Sequence, residues 1–286
     1  MALIGTLTSG VSALSSFSKG LEVIGNNIAN INTTGYKSSS ASFADSFSNT
    51  LRASAPSSGT LSSSSSVQVG TGVQVAGITT DFSQGALSST GSVTDLGISG
   101  GGFFIVKDAT SGTQYATRDG SFRLDDNGFL VTQTGERVQG LTGSSLSTVG
   151  DIQVGQSLPT GTQLQSISID KGGNVSEFYS DGTSAVTSRV QLQNFNDTSA
   201  LMRGGNNLYT SLGAAGPIGG GILAGNNDPG ANGLGSVQSG TLEQSNVDLT
   251  AQFSDLITTQ RSFQAGARLI TVSDSVLDDI VNLKRS

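Results

Sequence analysis

The chain of 286 residues contains no cysteine, no histidine and no tryptophan, has four prolines, and carries only 12% charged residues. Without cysteine there is no disulfide framework and no thiolate nucleophile. Without cysteine and histidine together there is no zinc finger, no Ser–His or Cys–His catalytic pair and no histidine-ligated metal. Catalysis would have to come from carboxylates, lysine or tyrosine, so the composition points to a binding or structural protein with no cofactor and no metal. Basic residues number 14 against 21 acidic ones, a formal charge of −7. Such a chain offers no broad positive surface for a phosphate backbone or an anionic membrane, and neither nucleic acid nor lipid is expected as a partner. Residues 1–18 hold no basic residue and no long apolar run, and no window approaches membrane-spanning length, so neither a cleaved signal nor a transmembrane helix is expected. The lack of cysteine fits the cytosol and fits equally a disulfide-free exterior. Hydrophobic residues make up 35%, low for a packed globule of this size, so part of the chain should lack a core of its own.

What the sequence does have is glycine, 40 residues of it, and an apolar seam at each end. Leu3, Leu7, Val11, Leu14, Phe17, Leu21, Ile24, Ile28 and Ile31 follow one another at intervals of three and four, one stripe of an amphipathic helix close to a coiled-coil pattern. Gly5, Gly10, Gly20 and Gly25 lie inside it, each costing about 1 kcal/mol relative to alanine. This helix needs external packing. At the other end Ser245 or Asn246 can cap a helix with Asp248 in its first turn. Leu249, Phe253, Leu256, Gln260, Phe263, Ala267, Ile270, Leu277 and Leu283 then continue a heptad-like seam interrupted by Gln260. Its one internal glycine, Gly266, makes it the stronger helix.

Between the ends the pattern is that of β structure. The chain reads as terminal helical segments at 1–35 and 245–286, a serine-rich linker at 36–66, an antiparallel β domain at 67–212 and a glycine-rich return at 213–244. Asp126-Asn127-Gly128 between Ser121–Leu124 and Gly128–Val131 predicts a type I′ hairpin, and Lys171–Asn174 and Ser180–Gly182 mark further turns. The fold class is therefore α+β: terminal amphipathic helices forming a coiled-coil-like core, with an antiparallel all-β domain inserted between them.

Candidate chemistry is sparse. Gly100–Gly102 precedes the strand-like Phe103–Val106 instead of a helix, which excludes a phosphate loop and favours a bulge or tight turn. Asp125–Gly128 begins like a calcium loop but lacks the bidentate glutamate at the required distance, and the hairpin explains it better. Asp119, Asp125, Asp151 and Glu177 could supply a glycosidase pair, yet sugar sites stack on aromatics and this chain has no tryptophan and four tyrosines. Asn26, Asn27, Asn30 and Asn32 cluster at the end of the first helix. They fit a helix stop, and they fit equally a set of buried inter-chain amides that fix register.

Several stretches are more specific. Leu21–Lys37 (LEVIGNNIANINTTGYK), Gly72–Phe82 (GVQVAGITTDF), Ile98–Phe104 (ISGGGFF) with Arg118–Phe122 (RDGSF), Gly240–Leu249 (GTLEQSNVDL) and Asp255–Phe263 (DLITTQRSF) resemble, in order, the signatures of the bacterial flagellar hook and rod axial proteins. The resemblance implies a non-enzymatic subunit that polymerises with itself and adjoins neighbouring rod and hook–filament junction proteins. It also implies passage through the flagellar type III export apparatus without a cleaved signal, to the extracellular hook or the basal-body rod. Phe43–Phe47 (FADSF) and Val75–Phe82 look more like a hook subunit, whose glycine-rich brackets would let the β domain shift in a bending joint, while the length is closer to a distal rod subunit. Hook is thus the first expectation and rod the alternative; a secreted β-rich adhesin shares the composition but has no need of terminal seams. The expected subunit interface comprises Leu3, Leu7, Val11, Leu14, Phe17, Leu21, Ile24, Asn27, Ile28, Asn30 and Ile31 together with Leu249, Phe253, Leu256, Gln260, Phe263, Ile270 and Leu277. Unpartnered seams of this kind meet neighbours in contacts that do not close, which generates a helical polymer. Helices too weak to stand alone order on assembly.

Overall fold

A computed structural model describes residues 2–54, 65–143, 146–155, 162–224 and 227–283, with side chains from Gly5 onward. The chain divides into two compact units, one of residues 1–29, 39–81 and 248–286, the other of residues 30–38 and 82–247.

In the first unit, helix α1 (Ala2–Ala29) lies antiparallel to helix α2 (Leu249–Leu283). Near the start of α1 the Thr6 hydroxyl meets that of Ser273 at 3.2 Å, and near its end Asn27 Nδ2 donates to Gln252 Oε1 at 2.9 Å. On α2, Gln252, Leu256, Thr259, Phe263, Gly266, Ile270, Ser273 and Leu277 recur at alternating spacings of four and three and are all at least half-buried. Small residues let the backbones approach: a Cβ at Gly10 would stand 2.9 Å from Ile270 Cγ1, one at Gly20 3.1 Å from the Phe43 ring. The glycines that weaken α1 as an isolated helix are thus, at these two positions, what its packing requires.

Strands β1 (Ser39–Asp45), β2 (Ser48–Arg52), β3 (Val67–Gly70) and β4 (Val73–Thr80) complete this unit. β1 pairs with β4 and β2 with β3, both antiparallel, with a register shift between Ser42 and Phe43. Phe43 packs edge-on against Phe17 of α1 at 5.7 Å, and the Ser16 hydroxyl donates to the Val73 carbonyl at 3.1 Å. The structure differs here from the expected domain division. Residues 39–52 form strands instead of linker, and 67–80 join the helical unit instead of the β domain. Ladder hydrogen bonds use the main chain, so a serine-rich segment can pair as a strand provided one side chain anchors it, and Phe43 does so. The remainder of the expected linker, 55–64, lies outside the described residues.

The second unit is the antiparallel β body. Its central strands run β5 (Leu87–Ser89), β6 (Leu96–Ser99), β7 (Phe103–Lys107), β8 (Gln114–Thr117), β9 (Arg123–Leu124), β10 (Leu130–Val131), β11 (Arg137–Thr142), β12 (Thr148–Asp151), β13 (Leu164–Ile169), β14 (Asn174–Tyr179) and β15 (Ser184–Val190). β16 (Leu192–Gln193), β17 (Met202–Gly205), β18 (Leu208–Thr210), β19 (Ser236–Ser239) and β20 (Thr241–Glu243) follow. Among the described residues the main sheet has the order β13-β14-β15-β11-β7-β8-β18-β17. β7 is buried on both faces: Phe104 and Val106 enter one core with Leu96, Ile98 and Val138, while Phe103 and Ile105 enter another with Ala116, Phe195 and Tyr209. Hence its uninterrupted apolar run. Gly100 and Gly102, both at positive φ, form the tight approach to β7, as the triple glycine predicts.

The hairpin over Asp125–Gly128 is present, but its turn is not type I′. Only Gly128 has positive φ (79°), and its N–H donates to the Asp125 carbonyl at 2.8 Å. Asp126 and Asn127 stay at negative φ, which makes a type I turn followed by a left-handed glycine bulge. The glycine-rich stretch at 213–244 is also more than a return segment: Ala215, Leu223, Leu234 and Val237 are buried in the two cores. At α2 the cap is Asp248, whose Oδ1 accepts from Thr250 N at 2.8 Å and Ala251 N at 3.2 Å, in place of Ser245 or Asn246. Asn246 instead accepts from Ser38 N at 2.7 Å.

Two kinds of glycine in α1 make opposite predictions. A Cβ at Gly5 or Gly25 would meet nothing within 4 Å, so Gly5→Ala or Gly25→Ala should stabilise the helical unit by about 1 kcal/mol. Gly10→Val should lower its melting temperature instead, because Ile270 is in the way; thermal circular dichroism at 222 nm reads both signs.

Candidate assembly surface

The inner face of the helix pair accounts for part of the expected interface. Leu7, Leu14, Phe17, Leu21, Ile24 and Ile28 of α1, and Leu256, Phe263, Ile270 and Leu277 of α2, are half-buried within the unit. The side chain of Leu3 lies outside those described. Val11 is 57% exposed, and Leu249, Phe253 and Gln260 also face outward. Asn30 and Ile31 fall beyond the helix, in the β body, where Asn30 Oδ1 accepts from the Thr33 hydroxyl at 3.1 Å in a helix-stop turn.

Asn27 is buried and bonded within the chain. Its Nδ2 donates to the Ser39 carbonyl (2.7 Å) as well as to Gln252 Oε1, and its Oδ1 accepts from Ser39 N at 2.9 Å. One amide thus ties α1 to α2 and to β1. Among the described residues it is this internal junction, and not a free donor set, that the asparagine of the GNNIAN stretch makes.

Outside the inner row, α2 keeps two more apolar stripes in water. Leu249, Phe253 and Ile257 form one; Leu269, Val272, Val276, Ile280 and Leu283 form the other, and all are more than a third exposed. At 3.6 residues per turn the two stripes lie about 140° apart around the helix axis, on opposite flanks of the inner row. Ile257, Leu269, Val272, Val276 and Ile280 are absent from the sequence-based interface. Their own three-and-four spacing is visible in the sequence, but it overlaps that of the inner row. A further exposed apolar edge runs along β2 and β3 and Phe47 just before them, with Phe47 85% exposed and Leu51 66%.

A second feature joins the two ends of the chain inside the β body. Lys37 and Glu243, both with no exposed side-chain surface, pair at 2.6 Å, and Arg118 Nη1 lies 3.3 Å from the other Glu243 oxygen. Lys37 Nζ also donates to the Ser83 carbonyl at 2.7 Å, and Glu243 Oε1 accepts from Gly85 N at 2.9 Å. Arg118 stacks over the Phe103 ring at 5.1 Å. Burial pulls its guanidinium below the ordinary arginine range, and the Glu243 charge opposes that shift. Lys37 and Glu243 stand inside the stretches that resemble the family signatures, but nothing in their spacing, 206 residues apart, announces a pair. Of the acids considered for catalysis, Glu177 is buried and accepts from Gly155 N, Thr187 and Tyr179, Asp151 pairs with Arg137, and Asp125 and Asp119 sit in turns. Among the described residues no cluster of three or more possible metal ligands occurs. No described helix is long and apolar enough to cross a membrane.

Asn27→Ala should destabilise the helical unit by about 1–3 kcal/mol, the cost of leaving the half-buried partners at Ser39 and Gln252 unsatisfied. Asn27→Gln should not restore it, since a longer amide cannot bridge both; chemical denaturation of the two variants checks this.

Three family models match the chain in order. The model for a flagella basal body rod protein covers residues 7–37, that for the flagellar hook protein FlgE/F/G D1 domain residues 97–177, and that for the flagellar basal body rod FlgEFG protein C-terminal region residues 238–283. The flagellar basal-body rod protein FlgG of Bacillus subtilis is 38% identical over 99% of this chain and 100% of that protein. That of Borreliella burgdorferi is 32% identical over 93% of each. The flagellar hook protein FlgE of Helicobacter mustelae reaches 48% identity, but over 48% of this chain and 31% of the hook protein. The chain belongs to the flagellar hook and rod axial protein family.

Proposed function

We propose that this chain is a structural subunit of the flagellar basal-body rod that builds its tube by polymerising with copies of itself, with no enzymatic role. The observation that carries the polymer is the pair of exposed apolar stripes on opposite flanks of α2. Two different sticky faces on one helix favour two different neighbours, a heterologous arrangement that propagates instead of closing into a dimer. The alternating four-and-three inner row supports coiled-coil-like packing between α1 and α2, and the expected interface is refined accordingly. Leu256, Phe263 and Ile270 act first within the subunit, while Val11, Leu249 and Phe253, joined by Leu269, Val272, Val276 and Ile280, face neighbouring subunits.

Rod is favoured over hook, against the first expectation from the sequence. Rod proteins match end to end, whereas the hook protein of Helicobacter mustelae is matched over less than a third of its length. The hook-like look of Phe43–Phe47 is outweighed, because its first residue, Phe43, serves the local contact between β1 and α1. Partners on this reading are further copies, adjoining rod and hook components and the flagellar export apparatus, which the weak α1 suits by staying unfolded until packed.

Phe253→Asp and Val276→Asp, one on each stripe, should leave the circular dichroism of the subunit unchanged and each abolish tubes or short rods in negative-stain micrographs. Losing one buried apolar side chain per contact raises the concentration needed for assembly by roughly ten- to a hundredfold. In cells lacking their own rod subunit this chain should restore a rod, and in cells lacking the hook subunit it should not restore a hook. The reverse pattern would overturn the rod assignment.

A further inference from the structure

We propose that Glu243 is a two-segment latch: by neutralising the buried cations Lys37 and Arg118, it makes the ordering of residues 30–38 and of residues 241–247 a single event. This inference does not depend on the axial-tube reading.

The asymmetry of the cluster carries it. One carboxylate faces two cations, and none of the three has more than 4% of its side chain exposed. Remove either cation and a balanced pair remains. Remove the anion and two positive charges face each other in a dry site, where an uncompensated charge is far more costly than in water. Arg118 has little else to fall back on: its Nη1 also donates to the Gly100 carbonyl, but its buried Nε finds no partner among the described residues.

The main chain couples the same two segments. Gly35 N donates to the Glu243 carbonyl at 2.8 Å, Ser38 N to Asn246 Oδ1 at 2.7 Å, and Gln244 N to the Ala86 carbonyl at 2.8 Å. Gly35 has φ +66°, and a Cβ there would stand 2.6 Å from Asp119 N, so only a glycine lets this turn press against the body. On the other side Thr241–Glu243 is a three-residue strand paired only with β5. Residues 30–38 form no strand and residues 241–247 only this short one, and Glu243 supplies the charged contact between them beside the neutral one from Asn246.

The test is native-state hydrogen exchange on the full chain, following the amides of Gly35, Ser38, Gly85 and Gln244 as latch reporters and that of Val190 as a body reference. Glu243→Gln should lower the melting temperature by about 10 °C. It should also speed exchange at all four reporters together, while Val190 stays protected. Lys37→Met and Arg118→Met, each leaving a balanced pair, should change exchange there much less. If Glu243→Gln costs no more than Lys37→Met, or frees only one of the two segments, the latch is wrong. Should Glu243→Gln fail to fold, the fully apolar triple variant Lys37→Met/Arg118→Met/Glu243→Leu decides. Restored protection at Gly35, Ser38 and Gln244, whose acceptors survive the substitutions, supports a charge-balance latch, and reporters among these three that stay open show that shape, not charge, held the segments.

Discussion

The helical unit depends on one close approach, that of α1 to α2. An isolated helix of 28 residues with four internal glycines and no acidic first turn or basic last turn has little intrinsic stability. Gly10 and Gly20 convert part of that weakness into contact, because they let Ile270, Thr259 and Phe43 reach the α1 backbone. The rest of the unit follows from this approach. Phe43 can pack on Phe17 only because the backbone beside it carries no side chain, and β1, held by Phe43 and by Asn27, carries β4 with it.

Pairing one face of α2 does not finish the burial. A helix with three apolar stripes and a single partner leaves two in water, and the exposed ones include large side chains such as Phe253 and Ile257. For a monomer this arrangement is an aggregation liability; for a subunit of a polymer it is the means of addition. The low hydrophobic fraction of the chain fits the same logic, since apolar surface that neighbours share need not be duplicated within each copy. The β body contrasts with this: most of its large apolar residues lie in two internal cores either side of β7.

How much of this was legible in the sequence varied with the kind of interaction. The helices, the seam of α1 and the hairpin at Asp125–Gly128 were legible because they rest on local periodicity and turn chemistry. The turn is type I with a glycine bulge instead of the expected type I′, because Asn-Gly also occurs where only the glycine needs positive φ. The ladder of β1 with β4 was hidden by a serine-rich composition, since main-chain pairing leaves no mark on side-chain pattern. On α2 the inner row could not be separated from the outer stripes, because three stripes at spacings of three and four overlap in one sequence, and only the contact with Gly10, Gly20 and Asn27 decides which faces inward. The pairing of Lys37 with Glu243 was invisible for a different reason: long-range charge pairing has no sequence period.

That last pair bears on how such a chain can be both weakly folded and uniquely folded. An apolar seam with small residues at its contacts tolerates more than one register, because sliding by a heptad brings similar residues together again. Buried polar contacts do not slide. Asn27, bonded to Gln252 and Ser39 at once, is satisfied in one alignment of the helical unit, and Glu243, facing Lys37 and Arg118, in one alignment of the β body. Each unit therefore has an apolar part that supplies most of the burial and a desolvated polar junction that rejects the alternatives. In a sequence with so few charges, placing three of them together in the interior makes physical sense as a device of specificity, since a buried ion cluster contributes little net stability beyond what apolar residues of the same volume would give.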